Sequence, residues 1–231
     1  MIISIHQPNY LPWLGFFDKI LKSDVFVIFD NVQFPRGKSH FGHRNLIKTN
    51  NGTKWLTLPL IGKSEFKNFN EIKINYNGWN DDHLNLMKCF YKKALYFNDY
   101  YPTIETILKI NHESLSDLNL MLIRYFLTCL DIKTTLVNCS DICSSNTSGS
   151  DRIMNILTHL KATKYISGTG PGSLKYINEE EFKKNNIELI WQHYNHPTYK
   201  QQYSEFVPNL SIIDLLFNEG PESKNIIRKV I

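Results

Sequence analysis

The sequence predicts an α/β fold with a mainly parallel sheet, and three observations carry that prediction. Short runs of β-branched and aromatic residues recur at 2–5, 25–29, 55–60, 72–75, 134–137, 164–167 and 188–191, and each reads as a strand. Helix-period segments alternate with them, clearest at 81–94, 116–130 and 150–160; Leu118, Met121, Leu122, Tyr125 and Cys129 form an i, i+3, i+4 stripe. The first 29 residues also make a compact strand, helix, strand unit, which requires a parallel pair.

In chain order, strand 2–5 leads into a helix at 12–21, with Pro12 suited to the first turn because its missing N–H is an orphan there. Strand 25–29 closes this unit. Strands 55–60 and 72–75 precede the helical segment of about 81–130, a candidate lobe of one domain spanning 1–231. Strand 134–137 follows. The Ser- and Asn-rich stretch 139–149 is the most linker-like, ahead of helix 150–160 and strands 164–167 and 188–191. Right-handed crossovers cover both sheet faces, so a Rossmann-like three-layer arrangement is expected, with ligands at the carboxyl ends of the strands.

Composition narrows the function classes. The 231 residues are 42% hydrophobic, which excludes a disordered or fibrous chain and suits one compact domain. Lys and Arg number 26 against 22 Asp and Glu, an excess too mild and too scattered to imply nucleic acid. The longest apolar stretch, 120–130, is interrupted by Arg124 and far short of a bilayer span, and residues 1–5 lack a basic flank. A cytoplasmic location is the expectation. Cys89, Cys129, Cys139 and Cys143 include no C-x-x-C pair, so free thiols are expected, without a zinc or disulfide framework.

Polar residues cluster after three strands: His6, Gln7, Asn9 and Tyr10 after the first, Asp30, Asn31 and Gln33 after the second, and Ser167 with Gly168 in the run Ser-Gly-Thr-Gly-Pro-Gly. His6 is a candidate general base, or a histidine bonded under the following turn. Asp30 is its candidate partner, or a helix cap. Arg44 and Lys48, with Asn45 between them, suit a phosphate or carboxylate, or belong with Arg36 and Lys38 upstream to a solvated basic loop, the reading favoured for those two. Ser167 and Gly168 offer a hydroxyl and an amide, although G-x-G-x-x-G and G-x-S-x-G are both absent. His196 is a second candidate acid or base. It lies in an aromatic, amide-rich tract with Tyr199 that suits a pocket wall, as Trp13 suits a pocket mouth. His193 with His196, and His40 with His43, bring no obvious Glu or Cys ligand, so no metal is expected.

The string 6–20, His-Gln-Pro-Asn-Tyr-Leu-Pro-Trp-Leu-Gly-Phe-Phe-Asp-Lys-Ile, together with 23–34, closely resembles the opening of the WbqC-like family. So do Arg44-Asn45, Ile47-Lys48-Thr49 and 55–59. Later blocks of the resemblance are 165–168, Tyr176, and 196–201, which ends on Gln201. The family takes its name from O-antigen gene clusters, which implies work on surface-polysaccharide precursors, amino sugars on nucleotide carriers. The basic loop 34–38 and the glycine-rich run 168–172 depart from the family pattern.

The expected activity is therefore a transferase adding an acyl or aminoacyl group to the amine of a nucleotide-linked sugar. It would need a base and oxyanion donors but no tightly bound cofactor, and its donor would be a small molecule or a carrier protein. Two alternatives stay open. One is nucleotidyl or glycosyl transfer, against which stands the absence of H-x-G-H and Asp-x-Asp motifs; the other is a non-catalytic sugar-nucleotide-binding or scaffold protein of the same pathway.

Overall fold

The computed structural model describes residues 1–35, 40–62, 65–143, 149–203 and 205–229, so the basic loop residues Arg36 and Lys38 lie outside the described residues. Its centre is a parallel sheet of five strands: β1 (Ile2–His6), β2 (Val25–Ile28), β7 (Thr135–Asn138), β8 (Lys164–Ser167) and β9 (Glu188–Trp191). They lie in the order β7-β2-β1-β8-β9. The chain runs outward from β1 through β2 to β7, then returns to the other side of β1 for β8 and β9. The direction of winding reverses between β1 and β8. Such a switch point opens a crevice at the carboxyl edge, because the loops on either side leave in opposite directions.

Alternation along the strands divides the core. Phe26 and Ile28 face the larger apolar cluster with α1 (Leu14–Leu21), whereas Ile3, Ile5, Val27 and Tyr165 face a smaller one built with α6 (Gly149–His159) and α8 (Glu179–Lys184). Both sheet faces are thus covered, as the sequence predicts. The larger cluster continues without a break into α2 (Trp79–Tyr91), α3 (Phe97–Lys109), α4 (Leu115–Cys129) and α9 (Ile212–Glu219), so these helices share the core of the sheet.

The structure corrects several expected elements. Leu11 takes the left-handed region at φ 44°, and the Pro12 carbonyl accepts from Ile212 N at 2.8 Å, so α1 begins at Leu14 behind Trp13 and not at Pro12. The expected strand 55–60 is two elements. β4 (Gly52–Thr57) pairs antiparallel with β3 (Arg44–Thr49), and beyond Pro59 a short β5 (Leu60–Ile61) pairs with β6 (Lys73–Ile74). Met121 is 40% exposed: the buried face of α4 is Leu115, Leu118, Leu122 and Phe126, with Asn119 among them. The linker-like stretch opens as a short helix, α5 (Cys139–Ile142), and its residues 144–148 lie outside the described residues. α3 falls inside the expected helical segment 81–130 without bounds of its own, and α9 has no counterpart among the sequence-predicted elements.

Candidate functional site at the carboxyl edge of the sheet

β1, β2 and β8 are neighbours, so the polar loops after them leave from one edge of the sheet, as the alternation of elements implies. His6 closes β1. Its Nδ1 lies 2.8 Å from the Gln7 carbonyl oxygen, which can only accept, so Nδ1 carries the proton and Nε2 holds the lone pair. Burial lowers the His6 pKa to about 4, with a smaller contribution from the nearby Lys19 charge, and the ring meets Phe16 edge-on at 5.2 Å.

Lys19 was not singled out by sequence reasoning. It sits on α1, 3% exposed, and its Nζ donates to the Ile5 carbonyl at 3.0 Å, one peptide before His6. Burial alone pulls its pKa down to about 7. The site therefore holds two nitrogen bases side by side, one neutral at physiological pH and one near its midpoint.

Across the switch point, Ser167 is fully buried and its Oγ donates to the Gly168 carbonyl at 3.1 Å. A Cβ on Gly168 would meet nothing nearer than Ser173 Oγ at 3.8 Å, which leaves this backbone open to approach. α7 (Pro171–Tyr176) buries none of its residues, and Tyr176 is exposed beside Gly149. Gln192, at the head of the aromatic, amide-rich tract, ties this side to α1: its backbone N–H donates to Ser167 O at 2.7 Å, and its Nε2 to Gly15 O at 2.8 Å and Asp18 Oδ2 at 2.7 Å.

At the end of β2, Asp30 accepts from Ser140 N at 3.0 Å and Ser140 Oγ at 2.5 Å, which is the geometry of a cap on α5. Asn31 donates from Nδ2 to Cys143 O at 2.8 Å, and its own carbonyl accepts from Arg152 Nη2 at 3.0 Å. Arg152, like Lys19, is a residue that sequence reasoning missed. The available signal was its place four residues before Ile156, on the apolar side of α6. Gln33 is exposed and bridges Asn68.

Other predicted residues hold loops rather than face the edge. Tyr10 turns into the core, where its hydroxyl meets His83 Nδ1 at 2.9 Å, and Asn9 is buried beside it in the chain. Asn45, fully buried, donates to Leu11 O at 2.6 Å. Lys48 and Gln201 come together, but with each other: Lys48 Nζ donates to Gln201 Oε1 at 3.0 Å and to the Glu205 carbonyl, while Gln201 Nε2 donates to Val207 O at 2.9 Å. Tyr199 donates to Asp214 Oδ2 at 2.8 Å. Arg44 stands on the β3–β4 hairpin with its guanidinium 4.3 Å from the centre of the Trp55 ring.

A second cluster forms beside α1. Trp13 meets Tyr194 edge-on at 5.3 Å, and Tyr194 lies 5.8 Å from His196, which also borders Tyr199 and Phe206. His196 repeats the arrangement of His6: Nδ1 donates to the carbonyl of the following residue, Pro197, at 2.8 Å, and burial lowers its pKa. Nε2 of His196 and the Tyr194 hydroxyl are both buried without a hydrogen-bond partner among the described residues. The sequence assigns His196 and Tyr199 to a pocket wall and Trp13 to a pocket mouth, and in the structure Tyr194 links Trp13 to the other two.

Helices on both faces, a reversal of winding between β1 and β8, and polar loops gathered at one edge define a Rossmann-like α/β protein, a class that takes ligands at its switch point. Within that class the chain belongs to the WbqC-like protein family, whose family model matches residues 7–226. A curated relative, "Uncharacterized protein Rv1507c" of Mycobacterium tuberculosis, is 34% identical over 229 residues, which are 98% of this chain and 97% of the relative. No solved structure matches the chain. Among the described residues no helix is long and apolar enough to cross a membrane.

Proposed function

We propose that the chain is a cytoplasmic transferase of bacterial surface-polysaccharide biosynthesis that moves an acyl or aminoacyl group onto the amine of a nucleotide-linked sugar. The observation that carries this reading is the tautomer of His6 at the switch point. With Nδ1–H held by the Gln7 carbonyl, Nε2 keeps its lone pair at the carboxyl end of β1, where a fold of this class presents reacting groups.

The chemistry asks for little more. An amine attacking an acyl carbonyl must lose a proton, and the oxygen of the tetrahedral intermediate needs donors. Nε2 of His6 takes the proton, and the open backbone at Gly168 supplies an N–H for the oxygen; collapse of the intermediate breaks the bond between the acyl carbon and the donor, and the donor's leaving group departs with the proton that Nε2 returns. A base with a pKa of about 4 holds a proton weakly, so the Lys19 amine, about 7, is the better matched store behind it. With Lys19 only 3% exposed, it acts through His6 and not on the substrate. Trp13, Tyr194, His196 and Tyr199 offer flat apolar faces with inward polar atoms, suited to one side of a sugar ring.

The test is a mass-spectrometric assay in which nucleotide-linked amino sugars are incubated with activated acyl and aminoacyl donors. A mass gain of one acyl group on the sugar, lost in His6→Gln at unchanged sugar-nucleotide affinity, is the expected result. Binding of the sugar nucleotide with no product from any donor would favour the non-catalytic reading, for which the weak basicity of His6 already speaks.

A further inference from the structure

Arg152 lies in the first turn of α6 and is 5% exposed. A guanidinium cannot shed its proton, so unlike Lys19 it is buried as a charge, and arginine is rarely buried this deeply unless paired. Among the described residues no carboxylate forms an ion pair with it. Asp30, on the adjoining loop, gives both oxygens to Ser140, and Asp151 beside it in the chain is exposed. Cys139, whose thiol interacts with Arg152, is neutral, because burial lifts its pKa to about 11.

What Arg152 does contact orients it. Nη2 donates to the Asn31 carbonyl at 3.0 Å, and the Phe29 ring lies 5.1 Å from the guanidinium carbon. Both residues follow directly on β2, so the cation is held at the carboxyl edge of the sheet. Its Nε is buried with no hydrogen-bond partner among the described residues. A fixed, planar cation with no ion-pair partner and a spare N–H among the described residues, at the edge where this fold takes ligands, suits an oxyanion able to accept from Nε and a remaining Nη hydrogen together.

We propose that Arg152 is an anion-binding residue that clamps a phosphate or diphosphate group of the ligand at the β2 end of the carboxyl edge. This deepens the functional reading above and rests on it only in taking that edge as the ligand site. The phosphate has two sources in such a reaction, the diphosphate of a sugar nucleotide and the phosphate of an acyl donor such as coenzyme A.

The probe is inorganic pyrophosphate, followed by the rise in melting temperature and by calorimetric titration of the full chain. Wild type responds below about 10 mM, and Arg152→Gln, melting within a few degrees of wild type when unliganded, binds at least about tenfold more weakly. Uridine diphosphate and coenzyme A are titrated in parallel, and the source is the one whose tighter binding depends on Arg152. No response of wild type to pyrophosphate, or equal affinity in Arg152→Gln, overturns the proposal. Should Arg152→Gln fail to fold, Arg152→Lys decides: a point charge cannot reproduce the two-pronged contact, so weakened binding supports the clamp and unchanged affinity overturns it. A nucleotide-linked amino sugar that binds no better than its nucleotide would count against the amino-sugar reading and leave the Arg152 result standing.

Discussion

The side-chain amide of Asn119, on the buried face of α4, donates to the carbonyl of Pro8 at 3.0 Å across 111 residues of chain. The same Nδ2 donates to the Gly42 carbonyl at 2.7 Å. One helical residue thus anchors the loop after β1 and the approach to the β3–β4 hairpin, and the loop that carries Gln7 and Asn9 owes its path to it. Asn119→Ala strands two buried carbonyls. A loss of about 2–6 kcal/mol in urea unfolding is expected, since each unsatisfied buried group costs about 1–3 kcal/mol. Wild-type stability would show that water replaces the amide.

Lys19 makes stability depend on pH in a defined direction. The unfolded chain keeps the Lys19 proton up to a pKa of 10.5, whereas the folded chain releases it near 7. Between those values the unfolded state binds more protons, so this group's contribution to stability climbs with pH and is lost as pH falls through 7. Lys19→Met removes the cost. It is expected to stabilise the protein at pH 6 by about 2–4 kcal/mol, less than the full shift because the bond to Ile5 O goes with it, and the gain should vanish towards pH 10. Urea melts across that range decide the matter, and a destabilised variant at pH 6 would show the lysine to be structural.

Asp214 has the opposite character. Tyr91 donates to its Oδ1 at 2.9 Å and Tyr199 to its Oδ2 at 2.8 Å, yet burial raises the carboxyl pKa from 3.8 to about 6. The native state holds this proton more tightly than the unfolded one. Its contribution is fully present below about pH 4 and is lost as pH rises through 6. The stability difference between wild type and Asp214→Asn should therefore shift by about 2–3 kcal/mol against wild type from pH 4 to pH 7. A difference that stays flat across this window would rule out the raised pKa.

Gly15 is required by the Trp13 ring. A Cβ at position 15 would lie 2.2 Å from Trp13 Cη2, so Gly15→Ala forces the indole away from Tyr194. A loss of about 1–3 kcal/mol is expected from overpacking. Its signature is a double-mutant cycle: in a Trp13→Ala background the same change should cost almost nothing. Equal costs in both backgrounds would place the strain in the backbone.

Much of the fold is legible locally. The strands at Lys164–Ser167 and Glu188–Trp191 have the bounds that their apolar runs predict, and the opening strand, helix, strand unit demands the parallel pairing seen between Ile3 and Val25. β3 escapes because its pattern, Arg-Asn-Leu-Ile-Lys-Thr, is polar at alternate places on both faces, and only its partner β4 and the buried bonds of Asn45 and Lys48 make it a strand. α3 carries Pro102 in its interior, which argues locally against a helix that burial of Tyr101, Ile104 and Leu108 sustains.

The candidate site divides along the same line. Composition, periodicity and the strand-end clusters by themselves determine an α/β chain with polar groups at the ends of β1, β2 and β8, since side-chain spacing is a property of neighbouring residues. Which groups are desolvated is decided only by the tertiary structure. Lys19 and Arg152 look like ordinary charges on amphipathic helices, and become an amine that titrates near 7 and a buried cation with no ion-pair partner among the described residues once packing against the sheet removes their water. Tyr10, Asn45, Lys48 and Gln201, polar residues that read as ligand contacts, instead spend their hydrogen bonds on fixing loops. Burial and pairing are sums over residues distant in sequence, and a charge takes its chemistry from them.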